Sequence, residues 1–68
     1  MAEISKKVGK RIRTRRHELG LSQEKLAFKC RLHRTYISDV ERGTRNISIE
    51  NLEKIAKALD VKTRDLFD

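Results

Sequence analysis

Apolar residues recur along the chain at helical spacing. Ile4, Val8, Ile12 and Leu19 keep one face of a helix predicted over about residues 3–19, and Gly20 stands at its natural stop. Gly9 lies inside that helix at a penalty of about 1 kcal/mol relative to alanine; it either permits a close helix crossing or has no role. Ser22 carries an N-cap signature, with Gln23 and Glu24 in the following turn. The second helix is predicted over about 23–30 and buries Leu26, Ala27 and Cys30. Arg31, Leu32 and His33 make a turn into a third helix, about 34–42, with Ile37 and Val40 inward. Gly43 ends it. After a loop over 44–47, Ser48 caps a fourth helix, about 49–59, whose stripe is Ile49, Leu52, Ile55, Ala56 and Leu59. Asp60 to Lys62 turn the chain, and Thr63 is expected to cap a last short helix, about 63–67, ending in Leu66 and Phe67. No segment alternates long enough for a strand. The expected class is all-α: one five-helix domain over residues 1–68.

The middle of this pattern raises a chemical question. Two helices of about eight residues joined by three residues must cross steeply, the geometry of a helix-turn-helix. The second of them then projects its first turn from the domain, with Arg34, Thr35, Ser38 and Asp39 outward. Such donors and acceptors suit base edges in a major groove. Gln23, with the free N–H groups opening the helix before it, suits a phosphate oxygen.

Charge points the same way. The 68 residues carry a formal net charge of +7, which favours an anionic partner. In residues 1–20, seven Lys and Arg against Glu3 and Glu18 leave a local +5. Composition closes other routes. A chain this short buries only about 60% of its unfolded surface, which disfavours a deep substrate pocket. The single cysteine cannot form an internal disulfide, which fits a reducing compartment. No apolar run reaches the roughly 18–20 residues of a membrane span, and the first residues lack a signal-peptide core. A soluble, cytoplasmic and nucleoid-associated protein is expected.

At these residues the sequence also resembles a known family. LSQEKLAFKCRLHRTYISDVERG followed by TRNISIENLEKIAKALDV resembles the Cro and lambda-repressor type of helix-turn-helix domain over about residues 8–67. The HRTYIS and ERGTRNIS stretches are similar to the small controller proteins of restriction–modification systems. The resemblance implies a sequence-specific transcription regulator that binds a palindromic operator as a homodimer. It implies phosphate contact by Gln23, base-facing roles for Arg34, Thr35, Ser38 and Asp39, and Tyr36 against the DNA backbone. It further implies that Arg45 and Asn46 approach phosphates, and that Arg16 and Glu41 tie the first helix to the third. Three positions depart from the pattern: Arg31 where the family's turn has glycine, His33 at the third helix's N-cap, and Ile47 near the place of a proline.

Other readings are weaker. Cys30, His17 and His33 are too few for a closed four-ligand zinc site, and Cys30 fits an apolar core. No nucleophile with a base and no carboxylate pair in a pocket suggests an enzyme. No metal, cofactor or small-molecule effector is expected. A membrane-surface peptide would need the first helix's one apolar stripe for lipid, and the core needs it. A phage-type repressor or an antitoxin-like protein-interaction module remain the alternatives. The expected partners are duplex DNA, a second copy of the chain, and RNA polymerase as a further candidate. Leu59, Val61, Leu66 and Phe67 are more apolar surface than one small domain needs to bury, and form the expected dimer surface.

Overall fold

The computed structural model describes residues 3–67. Four α-helices follow in order: α1 (Glu3–Glu18), α2 (Gln23–Cys30), α3 (Arg34–Arg42) and α4 (Ile49–Ala58). The expected fifth helix is instead a single 3-10 turn, Thr63–Leu66. Its start also differs. Lys62, not Thr63, stands at the N-cap, and its N–H donates to the Asp65 carboxylate at 3.0 Å. So short a segment lacks the length to sustain an α-helix by itself; Leu66, buried in the core, pins it.

Local chemistry sets the other boundaries. Ser22 Oγ accepts from the Lys25 N–H at 3.0 Å, and Ser48 Oγ accepts from the Asn51 N–H at 3.1 Å. Each satisfies one donor that a helix start leaves free. His33 caps α3 through Nδ1, which accepts from the Thr35 N–H at 3.2 Å. Arg31 closes α2 in the left-handed region, at φ 59° and ψ 39°. The Leu32 N–H then donates to the Ala27 carbonyl at 2.9 Å, which satisfies an open end of α2. The left-handed conformation strains any residue with a Cβ.

The core lies where the four helices and the 3-10 turn converge. Ile12, Leu26, Ile37, Ile55, Leu59 and Leu66 are its fully buried large side chains, each contributing about 1.5–3 kcal/mol on transfer from water. Two of them correct an expectation: Leu59 and Leu66 belong to this core and cannot form a dimer surface. Ile49 departs in the other direction. It shares the α4 apolar face yet is 78% exposed, because that face outruns its neighbours at its first turn. Ile4 and Leu19 are exposed likewise at the two ends of the α1 stripe.

Gly9 is the crossing point of α1 and α3. A Cβ there would stand 2.8 Å from the Glu41 carbonyl oxygen and closer still to that of Val40. Only glycine lets the backbones approach so closely. The crossing places α1 behind α3 and leaves the far side of α3 to solvent.

Candidate nucleic-acid interface

α3 buries Ile37, Val40 and Glu41. Helical periodicity then sends Arg34, Thr35, Ser38 and Asp39 the other way. Together with Arg42 they line one shallow depression of about 260 Å³. Arg34 and Thr35 are exposed, Ser38 and Asp39 half-buried. The structure thus brings the four expected base-facing side chains onto one surface, and adds Arg42 to them.

Behind this surface sits an ion pair. Arg16 Nε donates to Glu41 Oε2 at 2.7 Å and Nη2 to Oε1 at 3.0 Å. Nη1 donates to the Leu21 carbonyl at 2.8 Å. The two side chains are 9% and 3% exposed. α1, α3 and the start of α2 are therefore joined through one guanidinium. Gln23 belongs to the same group: its Nε2 donates to Glu41 Oε1 at 3.1 Å. The amide expected at a phosphate is thus anchored at one end by the buried carboxylate, which fixes its direction at the start of α2.

A second network runs along the front. Asp39 Oδ1 accepts from Arg42 Nη2 at 2.6 Å, and Oδ2 lies 3.7 Å from Arg45 Nε. The Arg45 guanidinium covers the Tyr36 ring, 4.8 Å from its centroid. Tyr36 Oη accepts from Asn51 Nδ2 at 3.2 Å. Tyr36 is half-buried and packed on the core, with its hydroxyl toward α4 and its ring under Arg45 of the loop over 44–47. Asn46 is not gathered with these groups. It is exposed on the neighbouring groove with Ile4, Ile47, Ile49 and Phe67.

Sequence reasoning missed Arg42, Asn51 and the exposure of Ile4 and Ile49 beside Phe67. Arg42 had a signal, since it follows Asp39 by three residues, the helical spacing of a facing ion pair. Asn51 had none, because its partner Tyr36 comes from another helix. Cys30 is core, as expected, at 5% exposure, and its thiol donates to the Leu26 carbonyl. Burial pushes that thiol above the ordinary range, more than its backbone bond and Lys54 lower it.

An α-helical frame in which three residues join α2 to α3, with an exposed polar face on α3, defines a helix-turn-helix protein. The helix-turn-helix family profile matches residues 12–66, and the chain belongs to that family. Within it, the chain is 71% identical to the control protein C.BamHI of Bacillus amyloliquefaciens over 48 residues, 71% of this chain and 59% of that protein. Its match thus spans less than two thirds of that relative. It superposes on the restriction–modification controller protein C.AhdI of Aeromonas hydrophila with TM-score 0.90 and 51% identity, covering 93% of this chain and 96% of that one. The controller C.Esp1396I, solved as a tetramer with its natural 35 base-pair operator, matches with TM-score 0.89 and 43% identity, over 98% of this chain and 88% of that one.

Proposed function

We propose that this chain is a sequence-specific duplex-DNA-binding transcription regulator, acting as a homodimer on a palindromic operator and controlling the genes of a restriction–modification system. The observation that carries the reading is the convergence of Arg34, Thr35, Ser38, Asp39 and Arg42 on the α3 face opposite buried Ile37, Val40 and Glu41. Kinship with a controller solved on its own operator supports it.

The mechanism divides the labour. Exposed Lys and Arg neutralise phosphates and release counterions, which supplies affinity without sequence choice. Arg34 presents a planar fork suited to the O6 and N7 of guanine, while Thr35 and Ser38 reach adjacent base edges or a phosphate. Gln23, held by Glu41, and the N–H groups opening α2 meet a backbone phosphate and set the depth of α3 in the groove. Arg45 and Asn46 approach the backbone from the loop after α3.

A reader this short covers few base pairs, so a second copy doubles the information. Of the expected dimer surface, Phe67 stays exposed, while Val61 is half-buried against the core. Phe67, at 39% exposure, continues into Ile4 at 47% and Ile49 at 78%, around a groove of about 400 Å³. At a two-fold axis the same patch would meet itself, and an exposed apolar patch of this kind suits that arrangement. Titrating duplex affinity against salt tests the reading: a steep fall in log K with log salt is expected. A flat response would point to a protein-binding module instead.

A further inference from the structure

The DNA-facing side of α3 carries a carboxylate where a phosphate-binding surface has least use for one. Asp39 is not idle there. Its Oδ1 holds Arg42 Nη2 at 2.6 Å, and its Oδ2 lies 3.7 Å from Arg45 Nε. The same residue's main-chain oxygen accepts from Thr44 twice, from the N–H at 3.1 Å and from Oγ1 at 3.2 Å. The loop is thus tied to the end of α3 beside the carboxylate. Arg45 is also held from behind by the Tyr36 ring at 4.8 Å, and Tyr36 in turn by Asn51 of α4. Two exposed cations are therefore drawn toward one half-buried anion, Arg42 through a hydrogen bond and Arg45 at a longer ionic approach.

We infer that Asp39 is a specificity-determining residue that acts as an internal phosphate surrogate: it occupies Arg42 and Arg45 until α3 is fully seated in a matching groove. The inference rests on the DNA-reading role proposed above. A carboxylate and a phosphodiester are alternative partners for the same guanidinium, and exchanging one for the other changes little charge energy per pair. The exchange needs the phosphate to be brought into direct reach. On a random duplex α3 rides loosely, water intervenes, and both arginines stay with Asp39. Its negative charge then opposes the backbone, since like charges brought together are unfavourable. On a matching duplex the arginines transfer to phosphates, and the contacts of the fully seated helix outweigh the cost of the freed carboxylate. Asp39 thereby lowers the background more than it lowers the specific complex. The device differs from direct reading, where a side chain contributes only on its own base.

The test compares Asp39→Asn with wild type on two duplexes: one of random sequence, and one selected by wild-type protein from a random pool. Asparagine keeps the shape and an acceptor for Arg42 but removes the charge. Random-duplex affinity should rise roughly tenfold. Its slope against log salt should steepen by about one unit, the signature of one more neutralised phosphate. Selected-duplex affinity should change less than about threefold, so the ratio between the two falls. A second background separates the surrogate from a plain net-charge effect. With Arg42→Gln and Arg45→Gln in place, Asp39→Asn should have little left to release. An equal gain in that background overturns the inference, as does an unchanged random-duplex affinity. Loss confined to the selected duplex makes Asp39 a direct base reader and also overturns it. Wild type that prefers no sequence in the pool would instead defeat the DNA-reading role itself. Matching thermal midpoints for all variants exclude unfolding as the cause.

Discussion

Arg16 grips both oxygens of Glu41, 2.7 Å from Nε to Oε2 and 3.0 Å from Nη2 to Oε1, across 25 positions of sequence. Neither group meets water freely, and no buried side-chain nitrogen or oxygen among the described residues lacks a partner. A buried pair of this kind adds little over an apolar substitute, yet breaking it leaves one charge stranded. Glu41→Ala should therefore destabilise the domain by roughly 3–5 kcal/mol, a large part of what so small a fold possesses. It also releases Gln23, whose amide donates to the same carboxylate at 3.1 Å. A thermal melt checks the first effect. A midpoint within about a degree of wild type would contradict it.

The turn between α2 and α3 offers the opposite change. Arg31 sits at φ 59°, where a Cβ costs about 1–2 kcal/mol and glycine escapes that strain. Glycine also has a more flexible unfolded chain, which takes back about 0.4–1 kcal/mol. Arg31→Gly should thus raise stability by about 0.5–1 kcal/mol, a melting shift of a few degrees for a domain of this size. A lower melting temperature would show that the arginine side chain contributes more than its backbone strain takes away.

Cys30 predicts a pH effect. Burial raises its thiol above the ordinary value. The unfolded chain therefore releases this proton before the folded one does, and above the unfolded thiol's pKa of about 8.5 the native state binds more protons. Its contribution to stability should be intact at neutral pH and fall as pH rises past that value. Cys30→Ala should lose this alkaline decline while losing some packing at every pH. Native-state labelling by an aromatic disulfide reagent should be slow and limited by opening of the fold.

Assembly is read at Ile49. The side chain is 78% exposed and touches little of its own core, so Ile49→Asp should fold as wild type does. If Ile4, Ile49 and Phe67 meet their copies across a two-fold axis, the variant should sediment as a monomer at micromolar concentration and bind a full palindrome far more weakly. A variant that remains dimeric would place the interface elsewhere.

Much of this architecture was legible in the sequence, because its strongest signals are local. Ser22 and Ser48 mark helix starts through bonds spanning three residues, and Gly43 marks a stop through its own φ of 74°. The Arg31 strain was legible because Arg31 stands where the family's turn has glycine. What stayed hidden depends on which neighbour covers a side chain. Periodicity assigns Leu59 and Ile49 to one apolar face. It does not say that one is sealed by the core and the other left bare at the helix's first turn. The Asp39–Arg45 approach was hidden for a related reason: the loop over 44–47 decides where that arginine lands. Thr63 looked like a cap by residue type, but Asp65 two positions on reaches the Lys62 N–H first.

The most direct measurement of the central claim is selection of duplexes from a random pool, by the wild-type chain and by Arg34→Ala in parallel, followed by sequencing. Wild type should enrich an inverted repeat whose half-sites lie about one DNA turn apart, or a multiple of it. The Arg34 variant should bind that repeat about 1–3 kcal/mol more weakly and lose preference at one symmetric base position. A wild-type pool that stays random after repeated rounds, or a variant that enriches the same repeat with every position intact, would contradict the assignment of α3 as the reader of sequence.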